Sequence, residues 1–172
     1  MERRISRQQM FLGMSRLAAM RATCFRLNVG AIITHNNNPV AIGWNGAPSG
    51  QAHCAGNDCP GVVPGHCSTI HAEVNALRKA EKLLEFGSDV DLYCTHSPCA
   101  DCLDLLMQSK LYVRSLFFEI PYRSTQHLGR LNGPYRYEGD PMMKTTRVTG
   151  VYEVTPAGYT VEYFTRRVVD LG

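Results

Sequence analysis

Apolar residues recur at three- and four-residue steps between about Ser6 and Arg26, where Met10, Met14, Leu17 and Met20 fall on one line. That period predicts a helix, and a methionine stripe of this kind is expected to pack into a core. Two short apolar runs follow, Val29 to Thr34 and Val40 to Gly43, on either side of His35-Asn36-Asn37-Asn38. They read as a hairpin with an Asn-rich turn. Gly43 to Gly50 (GWNGAPSG) is loop by composition, and Gln51 to Thr69 has no period at all. A structureless stretch of that length inside a compact domain is usually functional, and a bound metal would explain how it stays ordered. Ile70 to Phe86 returns to helical spacing and is ended by Gly87. Asp91 to Thr95 reads as a strand, Cys99 to Lys110 as a helix with Leu103, Leu106 and Met107 inward, and Val113 to Ile120 as a strongly apolar strand. Pro121 to Lys144 is rich in Gly, Pro, Tyr and Arg and reads mostly as loop. Thr146 to Thr155 and Tyr159 to Val168 then alternate around Pro156-Ala157-Gly158, predicting a C-terminal β-hairpin. The alternation of strands and helices argues an α/β sheet with helices packed on it in two or three layers.

Composition changes this picture little. The 172 residues suffice for one domain, and 44% hydrophobic with 19% charged residues describes an ordinary globular chain. A net charge of +3 suits small anionic ligands and argues against a nucleic-acid groove, which calls for a basic stripe. The apolar runs are too short to span a bilayer. Ser6, Arg7, Gln8 and Gln9 interrupt the start of the chain, so no signal peptide is expected and the cytoplasm (or a host cytosol) is the default location. The seven cysteines change the picture more. With no export signal, and five of them near a histidine or another cysteine, metal binding is the better reading than disulfides.

The chemistry concentrates in His71-Ala72-Glu73 and Pro98-Cys99-Ala100-Asp101-Cys102. His71, Cys99 and Cys102 offer three protein ligands, each where a predicted helix begins, with a fourth position open for water; that is a catalytic zinc arrangement. Helix starts and metals both favour the thiolate form. Zinc acidifies such a water, and Glu73 beside it can carry its proton to a substrate. A structural zinc knot is the bland alternative, but it calls for a fourth ligand, for which His96 is the nearest residue. H-x-E followed by P-C-x-x-C, in that order, is the signature of zinc nucleobase deaminases.

The chain resembles the deoxycytidylate (dCMP) deaminase family. The likeness is carried by Thr23 to Ile32 (TCFRLNVGAI), by Gly43 to Gly50, by His71 to Leu77 (HAEVNAL) and by Ser97 to Cys102. It covers a core of about residues 10–122 of a single domain, leaving 123–172 as a divergent tail. The resemblance implies a mixed β-sheet with helices on both faces, a three-layer α/β/α arrangement. It implies hydrolysis of dCMP to dUMP for thymidylate synthesis, while the departure from the family after Tyr122 leaves room for a 5-substituted dCMP, converted to the corresponding 5-substituted dUMP. Asn45 would bond the sugar or base, Val29 and Ala72 would line the base pocket, and Ser97 and Ala72 would offer backbone contacts. Tyr122 would lie beside the nucleotide, Arg123 or Arg26 would grip the phosphate, and Asn28 would touch substrate or serve a turn. The family also implies hexamers, with dCTP plus Mg2+ and dTTP as effectors near Gly43, Trp44, Asn45 and Gly46. Cys24, Cys54, Cys59 and Cys67 could close a second, structural zinc site, with His53 or His66 replacing one ligand. Cys94 is expected in the core. Two other classes compete. A deaminase of tRNA or single-stranded DNA would want a basic channel, to which Arg130, Arg136 and Arg147 could contribute. A non-catalytic zinc-stabilised binding module is argued against by Glu73 and Pro98.

Overall fold

The structure is a computed structural model and describes residues 4–54, 59, 67–122, 128, 150–157, 159–163 and 167–171. Its elements are α1 (Arg7–Ala19), β1 (Gly30–His35), β2 (Asn38–Trp44), α2 (Ala72–Leu83), β3 (Asp89–His96), α3 (Ala100–Met107), β4 (Tyr112–Ile120), β5 (Gly150–Val154), β6 (Thr160–Glu162) and β7 (Val168–Val169). One seven-stranded sheet runs in the order β2-β1-β3-β4-β5-β6-β7. β4 lies parallel to both β3 and β5, and every other pair is antiparallel.

The predicted β1–β2 hairpin is present. His35 pairs with Asn38, and the two residues between them, Asn36 and Asn37, have φ of 51° and 60°. That left-handed pair matches the twist of a two-residue hairpin, and asparagine tolerates it better than most residues. The C-terminal hairpin is also present among the described residues: Val154 pairs with Thr160 and Tyr152 with Glu162. Most of the predicted loop Pro121 to Lys144 falls outside the described residues. The helices α1, α2 and α3 all end earlier than their periodicity suggested, at Ala19, Leu83 and Met107.

The sheet is covered on both faces. On one side Phe11 and Leu12 of α1 pack on Ile32, Tyr93, Phe117 and Val154. On the other, Ala76, Leu77 and Ala80 of α2 and Leu103, Leu106 and Met107 of α3 cover Ile33, Leu92, Cys94, Leu116 and Phe118. This is the expected three-layer α/β/α arrangement, and Cys94 is a core residue with no exposed surface.

The helix expected for α1 is present, but its core face is overturned for three of the four residues named. Met14 is half-buried against the core, Met10, Leu17 and Met20 are exposed, and Gln8, Phe11, Leu12, Ser15, Ala18 and Ala19 are buried. Gly30 explains the choice of face. A Cβ on it would lie 1.9 Å from the Ser15 carbonyl oxygen and 2.6 Å from the Ala19 nitrogen. The helix backbone therefore rests directly on β1, and only small side chains fit beside that contact. Ser15 adds a hydrogen bond from its hydroxyl to the Tyr93 carbonyl at 2.9 Å.

Candidate active site

His71 is the N-cap of α2 and Cys99 the N-cap of α3, both in extended backbone. The chain reaches His71 through Ile70, which exchanges two backbone hydrogen bonds with Gly46 at 2.9 and 3.1 Å. It reaches Cys99 from the end of β3, where the Ser97 N–H donates to the Ile120 carbonyl at 2.9 Å and its hydroxyl accepts from the Tyr122 N–H at 2.8 Å. Two helix starts are thus tied to the ends of β2 and β3, on either side of β1 at one end of the sheet, and meet at one point. The first turn of α2 is seated on β2 by Gly43, where a Cβ would lie 2.1 Å from the Ala72 carbonyl oxygen, and by the Asn75 amide, which donates to the Trp44 carbonyl at 2.8 Å.

The ligand atoms of His71, Cys99 and Cys102 lie within 4.8 Å of one another, and theirs is the one such group of three among the described residues. His71 Nδ1 is 3.1 Å from the Cys102 Sγ and 3.5 Å from the Cys99 Sγ. Donors on a tetrahedral zinc, at ordinary Zn–N and Zn–S lengths, stand about 3.5–3.8 Å apart. The donor set fits zinc, with the Cys99 distance at that spacing and the Cys102 distance shorter than it. The protonation states agree. The Cys99 thiol is pulled down to about 4, first by a hydrogen bond from Cys102 and then by His71. His71 is raised to about 9, chiefly by Cys99, and Cys102 is pushed up by the same neighbour. Two protons are shared among three donor atoms, and a divalent cation at that point would take their place.

Glu73 lies two residues into this arrangement and is 4% exposed. Burial pushes its carboxyl up to about 7, against the opposing pull of its own backbone N–H and of His71. A carboxyl poised there can take and return a proton near neutral pH.

The group opens into a cleft of about 470 Å³. Leu27, Val29 and Asn45 form one part of its lining, Ala72 and Glu73 another, and His96, Ser97, Pro121 and Tyr122 a third; Cys24, Arg26, Cys67 and Thr69 complete it. Of the residues read from the sequence as substrate contacts, Val29, Asn45, Ala72, Ser97, Tyr122 and Arg26 are in that lining. Asn28 is exposed and outside it. Arg123 lies outside the described residues.

Asn45 is 5% exposed, and its amide is engaged with the cleft wall itself. Its Oδ1 accepts from the Val29 N–H at 2.7 Å and its Nδ2 donates to the Leu27 carbonyl at 2.6 Å. Each group retains one further hydrogen-bonding position. Gly43 and Gly46 are buried, and Trp44 stands beside the Lys79 ammonium at 4.6 Å and the Arg21 guanidinium at 5.9 Å, outside the cleft lining.

Cys24, Cys54, Cys59 and Cys67 do not converge as the first group does among the described residues. Cys59 is buried, and the Cys54 Sγ is 3.9 Å from the Thr69 hydroxyl. Hydrogen bonds from that same threonine pull the exposed Cys67 thiol down. His53 is exposed and His66 lies outside the described residues. His96 is apart from the metal group, its Nδ1 3.1 Å from the Thr95 hydroxyl, and burial lowers its pKa. Leu27, Thr69, His96 and Pro121 are cleft residues that the sequence reading did not name as such; Leu27 sits in the Thr23 to Ile32 stretch that carries the family likeness, and no motif marks the other three.

A family model described as the cytidine and deoxycytidylate deaminase zinc-binding region matches residues 5–119. ComE operon protein 2 of Bacillus subtilis is 36% identical over 122 residues, which are 70% of this chain and 63% of that protein. The deoxycytidylate deaminase of Mycobacterium phage D29 is 37% identical over 112 residues, 58% of this chain and 84% of that one. The crystal structure of the dCMP deaminase of cyanophage S-TIM5 in complex with dCMP and dUMP aligns with a TM-score of 0.60 at 32% identity, covering 73% of this chain and 89% of that chain. The chain thus spans less than two thirds of the Bacillus protein and most of the two phage proteins.

Proposed function

Because the chain belongs to the cytidine and deoxycytidylate deaminase family, we propose that it is a zinc-dependent hydrolase that converts dCMP and water to dUMP and ammonia. The observation that carries this reading is the convergence of His71, Cys99 and Cys102 beside a buried Glu73, whose carboxyl burial pushes up to about 7, in one cleft.

His71, Cys99 and Cys102 would hold the zinc, which supplies a Lewis acid that makes water a nucleophile at neutral pH. Glu73 takes the proton of the attacking water and gives it to the ring nitrogen next to the amino-bearing carbon. It then passes a second proton to the amino group, which leaves as ammonia. Burial keeps that carboxyl out of competition with bulk water. Val29 and Ala72, both buried and lining the cleft, suit the flat faces of a base, and Asn45 and Ser97 offer hydrogen bonds at its edge. Arg26, which lines the cleft, would meet a 5′-phosphate, with Arg123 the alternative, and Tyr122 lines the same cleft.

The same reading includes a cytoplasmic homohexamer feeding thymidylate synthesis, effector binding of dCTP with Mg2+ or of dTTP around Gly43 to Gly46, and a second zinc on Cys24, Cys54, Cys59 and Cys67. No helix among the described residues is long and apolar enough to cross a membrane.

The test is ammonia release and mass change over a panel of cytosine nucleotides, RNA and single-stranded DNA, with and without dCTP and dTTP. dCMP is expected to turn over, and Glu73→Gln is expected to keep zinc and lose turnover by at least about 100-fold. Arg26→Ala should raise KM for dCMP while leaving deoxycytidine unaffected. Turnover of RNA or DNA with free dCMP untouched would overturn the choice of substrate.

A further inference from the structure

His96 brings to the cleft a hydrogen-bond donor that the steps at Glu73 leave unused. It closes β3 and lines the cleft beside Ser97, Pro121 and Tyr122. Its ring is oriented by Thr95. The buried Thr95 hydroxyl oxygen accepts from the Gly30 N–H at 3.2 Å and stands 3.1 Å from His96 Nδ1. The hydroxyl proton has Nδ1 as its acceptor, so the bonds run from the Gly30 N–H through Thr95 to the ring. Nδ1 is then the accepting nitrogen, and Nε2 carries the ring proton. Burial outweighs the pull of Glu119 and lowers the pKa of the ring, so the neutral form is favoured. Among the described residues nothing bonds Nε2, and the half-buried ring leaves that N–H to the cleft.

The shape of a pyrimidine decides what that donor would meet. C4, which carries the amino group, is flanked by N3 on one side and by C5 on the other. In the proposed reaction C4 sits at the metal group, and N3 takes its proton from Glu73 on the first turn of α2. C5 is then turned away from α2, toward the wall supplied by the ends of β3 and β4, where His96 stands. We propose that His96 is a specificity-determining residue that reads the C5 substituent of the pyrimidine, its Nε2–H favouring a group with an acceptor atom, such as hydroxymethyl, over methyl. A methyl at C5 covers the N–H without accepting from it, and a donor stranded in that way is penalised. The inference rests on the proposed deamination, because Glu73 sets the orientation of the base.

The test compares 5-hydroxymethyl-dCMP with 5-methyl-dCMP on the zinc-loaded full chain. Ammonia release gives kcat/KM for the wild type and for His96→Leu, and calorimetry gives Kd for the same two proteins carrying Glu73→Gln. The wild type is expected to favour the hydroxymethyl nucleotide by about tenfold in both readouts. His96→Leu is expected to abolish or invert that preference, and His96→Gln, which keeps a terminal N–H, to retain part of it. 15N NMR of the wild-type imidazole is expected to place the proton on Nε2. A wild type that favours methyl, a His96→Leu variant with the wild-type ratio, or a proton on Nδ1 would overturn the inference. Turnover of dCMP with equal binding of the two substituted nucleotides overturns it too, and leaves the reaction in place. If no cytosine nucleotide releases ammonia while the binding preference and its loss in His96→Leu persist, the reaction falls and His96 still stands as the reader of C5.

Discussion

Replacing Gly43 with alanine tests whether the reacting groups are placed by backbone contact between β2 and the start of α2. The new methyl would sit 2.1 Å from the Ala72 carbonyl oxygen and 2.5 Å from the Ala76 nitrogen, and neither is a flexible side-chain tip. To reach a tolerable 3.0 Å contact, the first turn of α2 must withdraw by about 1 Å, a displacement that costs a catalytic group about 100-fold in rate. That turn carries Glu73 and follows directly on His71. The overpacking itself is expected to destabilise the fold by about 1–3 kcal/mol. At about 2–4 °C per kcal/mol for a chain of this size, the thermal midpoint should fall by roughly 2–12 °C. Gly30→Ala is the matched control, because its clash with Ser15 and Ala19 is as severe but lies on the α1 face of the sheet. Both variants should lose stability, and only Gly43→Ala should lose kcat for ammonia release from dCMP. If Gly43→Ala turned over at the wild-type rate, or if Gly30→Ala slowed it equally, the placement argument would fail.

Three further outcomes follow from the site. Asn45→Ala strands the Val29 N–H and the Leu27 carbonyl, each worth about 1–3 kcal/mol when buried without a partner. A lower urea midpoint and a raised KM are expected, and a midpoint equal to the wild type would show that the amide does not hold the wall. Chelation at neutral pH should abolish turnover and lower the thermal midpoint, with both restored by added zinc; a zinc-free sample that still turns over refutes the assignment of His71, Cys99 and Cys102. The same zinc determination should give about two ions per chain if Cys24, Cys54, Cys59 and Cys67 hold a second one, and a value near one removes that site.

The parts of the fold that were legible were those in which one periodicity or one turn chemistry dominates. β1 and β2 meet around Asn36 and Asn37 as the Asn-rich turn implied, and the alternating Val151, Val154 and Val161 paired as a hairpin. The metal group was legible because two ligand motifs stood at two predicted helix starts. α1 was misread because hydropathy weighs large residues, while the packing was decided by small ones. Gly30, Ser15, Ala18 and Ala19 let two backbones touch, and that contact turned Met10, Leu17 and Met20 outward while Met14 stayed against the core. The cleft wall was legible only in part. Asn45 was named for its loop, but its bonds to Leu27 and Val29 join residues 16 and 18 positions away, a distance no local pattern reports. Thr69 and His96 reach the cleft by the same kind of long-range placement.

The two helix starts that carry the ligands are poor starts for helices. His71 makes no side-chain capping bond, and Cys99 accepts only a long 3.5 Å contact from the Cys102 N–H. A serine or aspartate at either position would cap its helix better by about 0.5–2 kcal/mol and would delete a metal donor. Folding and metal binding therefore pull residues 71 and 99 in opposite directions. A library of this chain screened for heat resistance alone would drift toward capped helices at those positions, and would return proteins that are better folded and inert.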